Sequence, residues 1–233
     1  MPLVWLWSLA RCCCGTSLAD AYCFGGYGGN SSPFTELRDL DGYFVSSDSW
    51  QARADLPLPG RQAHGATVLS GKGYAVAGQS ATGERSDNDE YTPAGDAWAS
   101  RANLTAPTRI FISAAAASGM VYCFGGFHQA GGPNGYLDYT RNDGYDPGSD
   151  AWSSKSDMPS PSRSSGSSAA VAGKVYAWCG FDGDTTQFGG TKIRDNDEYD
   201  PGGDAWASRT DAPLPARYKI RSEEHTSELQ SQR

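Results

Sequence analysis

Three residue offsets recur along this 233-residue chain and leave few folds open to it. A tyrosine stands seven residues before a tryptophan four times, at Tyr43–Trp50, Tyr91–Trp98, Tyr145–Trp152 and Tyr199–Trp206. Eleven residues past each tryptophan lies an arginine in a Pro-x-Arg triplet: Arg61, Arg109, Arg163 and Arg217. Thirteen residues past the first three arginines lies another tyrosine, opening a short apolar segment that ends in glycine. Those segments are YAVAG at 74–78, YCFGG at 122–126 and YAWCG at 176–180, and a further YCFGG fills 22–26. The arginines are 48, 54 and 54 residues apart. Constant offsets at such a period are the mark of a repeat architecture whose units stack, and glycine with Tyr/Trp marks points to a propeller.

Each copy reads as four short strands. The first runs over 65–69, 112–117 and 167–172; the second carries the tyrosine and glycines, the third the Asn-Asp-x-Tyr segment, and the fourth begins at Asp-x-Trp. Turn residues separate them at Ser70-Gly71-Lys72-Gly73, Asp146-Pro147-Gly148-Ser149 and Asp200-Pro201-Gly202-Gly203. Leu, Ile, Val and Phe make up only about 14% of the chain, a share that alone suggests disorder. Nineteen Trp and Tyr residues supply the missing apolar area, so the sheets are expected to pack through aromatic rings, with glycine letting a neighbouring ring approach the backbone.

The glycine doublets Gly25-Gly26 and Gly125-Gly126, single Gly78 and Gly180, second-strand Tyr22 and its repeats, the Tyr–Trp pairs that end at Trp50, Trp98, Trp152 and Trp206, and the Pro-x-Arg triplets together resemble the kelch repeat. The likeness spans roughly residues 19–220 and implies an all-β, kelch-type propeller of four-stranded antiparallel blades, incomplete at about four blades. Ala77 and Cys179 depart from the pattern at the first glycine, which is expected to loosen those two blades. The expected organisation is an irregular N-terminus over 1–18, a partial first blade over 19–58, repeats over 59–106, 107–160 and 161–214, and the start of another over 215–220. Residues 221–231 (RSEEHTSELQS) resemble the in-frame translation of a sequencing adapter, so 221–233 is read as an adapter-derived tail and His225 is left out of any site. An open arc of blades is expected to leave unpaired edges and to dissolve poorly.

Charge and cysteine narrow the function. A net charge of −8 argues against binding a phosphate backbone, and no apolar run is long enough for a membrane span. The six cysteines (Cys12, Cys13, Cys14, Cys23, Cys123, Cys179) lack the spacing of a disulfide framework or a zinc site, and free thiols suit a reducing compartment. The apolar stretch 3–10 has no basic residue before it and is a weak secretion signal, so the compartment stays open. The Asn-Asp-Glu-Tyr segments lack the glycine and closing carboxylate of a calcium loop. No metal or other cofactor is expected.

Antiparallel order puts the loops between second and third strands on the same face as the links between blades. From second-strand to third-strand tyrosine the spans are 21, 17, 23 and 23 residues, whereas the opposite face has short repetitive turns. Variable loops on a rigid scaffold are where binding resides. The candidate contacts there are Tyr27, Asn30 and Phe34; His128 and Tyr136; and Asp182, Asp184 and Phe188. Arg61, Arg109 and Arg163 open onto this face and suit carboxylate or phosphate ligands, but a residue fixed in every copy reads better as framework. The favoured reading is a binding scaffold for a protein or small polar ligand, of unknown oligomeric state. The kelch resemblance also implies two alternatives: an enzyme of sugar chemistry akin to sialic-acid epimerases or galactose oxidase, or part of a larger secreted or surface protein. A copper oxidase would need two His and two Tyr ligands, and no acid–base pair for an epimerase stands out in the sequence.

Overall fold

The computed structural model describes residues 12–15, 20–28, 35–105, 107–129, 137–183 and 191–216. The proposed tail at 221–233 lies outside them. Among the described residues, twenty-two strands make four antiparallel four-stranded sheets and three small two-stranded ones. The first sheet pairs β1 (Cys12–Gly15), β2 (Asp20–Phe24), β5 (Leu40–Phe44) and β6 (Ser49–Arg53) in that order. Between β2 and β5 stands a small hairpin of β3 (Tyr27–Gly28) and β4 (Thr35–Glu36). The second sheet repeats this with β7 (Gly65–Leu69), β8 (Lys72–Val76), β11 (Asn88–Thr92) and β12 (Ala97–Arg101), and with the hairpin β9 (Gln79–Ser80) and β10 (Gly83–Glu84). The third uses β13 (Ser113–Ala117), β14 (Met120–Phe124), β17 (Asn142–Asp146) and β18 (Ala151–Lys155), with β15 (Phe127–His128) and β16 (Leu137–Asp138). In the fourth, β19 (Ser167–Val171) and β22 (Ala205–Arg209) flank long strands β20 (Lys174–Asp182) and β21 (Thr191–Asp200). Here the small hairpin has fused with the sheet through a register shift between Trp178 and Gly180. The first strands of neighbouring sheets lie against one another, so the sheets are blades of a propeller.

Strand positions follow the residues closely. β13 starts one residue later than the pattern suggests, and β19 stops at Val171 because Ala172 and Gly173 both take positive φ (51° and 77°). Ser70–Gly71 and Ser118–Gly119 do the same, the geometry that matches a hairpin turn to strand twist. Each blade then buries one face on the next. Tyr22, Phe24, Leu40 and Leu56 of the first meet Ala75 and Tyr91 of the second; Tyr74 and Val76 meet Val121, Cys123 and Tyr145 of the third; Tyr122 and Phe124 meet Val175, Ala177 and Tyr199 of the fourth.

Two polar devices lock these interfaces. At the outer edge, the seven-residue offset places tyrosine and tryptophan directly opposite each other across the β5–β6 hairpin and its repeats. The tyrosine hydroxyl donates to an aspartate five residues on, at Asp48 (2.6 Å), Asp96 (2.8 Å), Asp150 (2.6 Å) and Asp204 (2.7 Å). Three of those carboxylates also accept a backbone N–H from the preceding blade, from Ala54, Ala102 and Ser156 at 2.8, 2.8 and 2.9 Å. The tryptophan indole N–H donates to the carbonyl of that same residue: Trp98 to Ala54 (2.8 Å), Trp152 to Ala102 (2.7 Å) and Trp206 to Ser156 (2.7 Å). The hairpins of the second, third and fourth blades thus each clasp the N–H and the C=O of one residue of the blade before.

Deeper in, Arg61, Arg109 and Arg163 cross from the inter-blade link into the blade that follows. Nη2 meets Asp89 at 2.5 Å and Asp143 at 2.5 Å, and Arg163 pairs with Asp197 in the same way. Nη1 donates to the carbonyls of Asp87, Arg141 and Asp195, each at 3.2 Å. All six side chains are buried. Burial holds the Arg61 and Arg109 guanidinium pKa values below their ordinary level, against the pull of the paired carboxylates.

His64 is buried against Phe24, with ring centroids 5.4 Å apart, and neither ring nitrogen has a hydrogen-bond partner among the described residues. Burial, reinforced by the charge of Arg61, pushes its pKa down to about 3.

Three outcomes follow from these contacts. Trp152→Phe, which keeps the ring but loses its N–H, should lower stability in urea unfolding by about 1 kcal/mol. Arg163→Met takes from buried Asp197 its arginine partner, leaving it the Ser208 hydroxyl, and should lower it by about 3–5 kcal/mol. The unfolded chain protonates His64 near its ordinary pKa and the folded chain resists down to about 3, so stability is full above that ordinary value and falls as pH drops through this window. The slope is about 1.4 kcal/mol per pH unit at most. A urea titration of His64→Leu beside the parent chain isolates it, and a pH-independent difference between the two would refute it.

Candidate loop-face site

The small hairpins rise from the face that carries the inter-blade links. Single β-bridges tie each link to a hairpin: Gln62 to Gln79, Ile110 to Phe127 and Ser164 to Phe181. Beside each bridge is a non-glycine residue in the left-handed region, Ala63 (φ 54°), Phe111 (φ 55°) and Ser165 (φ 54°). Their peptide groups hydrogen-bond in series, Phe111 N–H to the Ala63 carbonyl (2.8 Å) and Ser165 N–H to the Phe111 carbonyl (3.0 Å). A backbone chain therefore steps from blade to blade on this face. Positive φ is strained for a bulky residue such as Phe111, and such strain concentrates at functional sites. Its ring stacks on Phe127, with centroids 5.4 Å apart and planes 17° from parallel, and both rings are half-buried.

Around this pair lie acidic groups that join neighbouring blades. Glu84, on β10, accepts from the Thr108 hydroxyl (2.8 Å) and the Gln129 N–H (2.5 Å), and it meets His128 Nδ1 at 2.6 Å. His128 remains a third exposed. One junction further on, Asp138 accepts the Gly183 N–H at 2.7 Å, while Asp182 accepts the Ser162 hydroxyl at 3.1 Å. Burial, with a smaller contribution from Asp182, pushes the Asp138 carboxyl up to about 6, against the hydrogen bonds from Gly183 and Ser164. Its Oδ1 is buried without a hydrogen-bond partner among the described residues. A carboxyl poised near neutrality can both give and take a proton.

The structure thus brings His128 together with Glu84, and Asp182 near Asp138. Tyr27 lies in the first blade, half-buried on β3 opposite Glu36. Asn30, Phe34, Tyr136, Asp184 and Phe188 lie outside the described residues. Arg61, Arg109 and Arg163 are buried with their Nη groups on aspartate and backbone oxygens. Glu84, Thr108, Phe111, Phe127 and Asp138 were not singled out from the sequence. One signal for them existed: an aromatic residue follows the glycine at Tyr27, Phe127 and Phe181, where the second copy has Gln79. Among the described residues no group of three His, Cys, Asp or Glu side chains is placed to hold a metal ion, and no helix is long and apolar enough to cross a membrane.

No family model and no curated protein matches the chain. Among solved structures it is similar to one titled "Structure of YjhT", with a TM-score of 0.70 and 15% sequence identity over 90% of this chain and 68% of that one. At that identity the likeness is one of fold, and the fold it shows is the β-propeller.

Proposed function

We propose that this chain is a kelch-type propeller that binds a protein segment on its loop face, at the junction of the second and third blades. The observation that carries the reading is the Phe111–Phe127 stack beside Glu84 and His128. Arg61, Arg109, Arg163, Trp98, Trp152 and Trp206 are engaged in holding blades together, whereas this stack sits beside a strained backbone position on the loop face. Its rings offer a flat apolar surface, and the carboxylate and imidazole beside it offer polar contacts, the mixture from which interface centres are built. A second reading, sugar chemistry, is favoured by Asp138 alone, whose raised pKa suits a general acid or base.

The test is a peptide array and a glycan array probed with the purified chain, followed by titration of the strongest binder. Phe127→Ala is expected to weaken peptide binding at least tenfold while leaving the thermal melt nearly unchanged, since the ring is half-exposed. Retention of full affinity by both Phe127→Ala and Glu84→Gln would sink the assignment of the site. Capture of glycans alone, with turnover lost in Asp138→Asn, would replace the reading with the second.

A further inference from the structure

The link between the second and third blades departs from the repeat at two positions whose side chains make no hydrogen bond among the described residues. Five residues past each tryptophan, three of the four segments read Asp55-Leu56-Pro57, Asp157-Met158-Pro159 and Asp211-Ala212-Pro213. The segment after Trp98 reads Asn103-Leu104-Thr105. An asparagine stands where the others have aspartate, and a threonine where they have proline. With leucine between them, the two make an Asn-x-Thr acceptor triplet for an N-linked glycan. Such triplets arise by chance in a chain of this length, and Asn30-Ser31-Ser32 is another, outside the described residues. Asn103-Leu104-Thr105 is set apart by its two departures from the repeat and by its place in the structure.

The backbone is held on both sides of Asn103. The Ala102 N–H donates to Asp150 (2.8 Å), and the Ala102 carbonyl accepts the Trp152 indole N–H (2.7 Å) and the Asn88 amide (3.3 Å). The Leu104 N–H donates to the Ser86 carbonyl (2.8 Å), and the leucine side chain is buried in the core between the second and third blades. Asn103 and Thr105, on either side of it, are exposed and belong to no strand. Neither the Asn103 carboxamide nor the Thr105 hydroxyl has a hydrogen-bond partner among the described residues. The asparagine and threonine therefore do nothing for the packing of the blades. A glycan is bulky and must leave the fold without displacing a packed group, which an exposed side chain on a pinned, irregular surface link allows.

We infer that Asn103 is an N-glycosylation site, with an oligosaccharide activated on a lipid diphosphate as the donor. In the transfer, the Asn103 amide nitrogen bonds to the anomeric carbon of the sugar as the C–O bond to the diphosphate breaks. The diphosphate leaves with that electron pair, and the amide nitrogen gives up one proton. The glycan then stands at the outer edge of the junction between the second and third blades, one residue from the clasped Ala102. The chain is accordingly one that passes through a compartment where such donors act, in keeping with the secreted or surface protein that the kelch resemblance implies as an alternative.

Expression of the full chain behind a cleavable secretion signal in a eukaryotic cell tests this, on protein recovered from the secretory pathway and the medium. It is expected to carry a glycan at Asn103. The readout is peptide mass spectrometry after an amidase that releases N-linked glycans and turns the freed asparagine into aspartate. Asn103→Gln and Thr105→Ala should each abolish the modification at this site, and Thr105→Ser should keep it. The glycosylated chain and Asn103→Gln should share one circular dichroism spectrum and one thermal melt, because both side chains are exposed. An unmodified Asn103 in the recovered chain would overturn the inference. So would a glycan there that survives Thr105→Ala, or a glycosylated chain that fails to fold while Asn103→Gln folds.

Discussion

The buried arginine–aspartate pair is the contact on which the blade arrangement turns. Arg61 and Arg163 each do two things at once. Their backbone carbonyls accept the N–H of Gly26 and Gly126 in the blade just left, and their guanidinium groups enter the blade ahead. The eleven-residue link from tryptophan and the thirteen-residue run to the next tyrosine are therefore fixed by one side chain that must reach both. The desolvation cost of such a buried pair offsets its Coulombic gain. Taking the ions from water is costly, and Nε of all three arginines is buried with no hydrogen-bond partner among the described residues. Its effect is on specificity: a link one residue longer or shorter would take the inter-blade arginine from Asp89 or Asp197, leaving a buried carboxylate with a serine hydroxyl in place of its ion pair.

The outer clasp imposes an equally strict count. Tyrosine and tryptophan sit opposite each other in the hairpin register, and the aspartate between them lies at positive φ in all four blades (46–50°), which turns its carboxylate back toward the tyrosine hydroxyl. A slip of one residue would move both rings to the other face of the sheet and lose the contact with the preceding blade. This is why the repeat was legible without a structure. Every offset seen in the sequence corresponds to a distance that hydrogen bonds hold constant.

The candidate site was legible only in part, for the same reason inverted. Counting offsets detects what recurs, and Glu84 and Asp138 lie 10 and 16 residues past their second-strand tyrosines, inside loops of unequal length. Phe111 is two residues past Arg109, where the other copies have Ala63 and Ser165, so it counts as noise in a repeat alignment. His128 and Asp182 stand out in the sequence as polar residues of the variable loops. Their partners were invisible, since Glu84 meets His128 across 44 residues of chain and two blades.

The non-glycine residues at Ala77 and Cys179 show that the scaffold holds its geometry against local preference. Both occupy the left-handed region at φ 58°, close to Gly25 at 60° and Gly125 at 63°, although an L-residue there costs about 1–2 kcal/mol. Both are in even blades. In odd blades a Cβ at Gly25 would approach the Arg61 carbonyl to 2.9 Å, and one at Gly125 the Arg163 carbonyl to 2.4 Å, so the close inter-blade link excludes a side chain. Where a side chain is tolerated, it is small and fully buried, and the burial offsets part of the strain. At both positions φ matches that of the glycines they replace, and in the fourth blade the sheet register shifts at Cys179. The glycine doublets thus mark the two places where an arginine link lies against the blade just left, with the Arg61 carbonyl on Gly26 and the Arg163 carbonyl on Gly126.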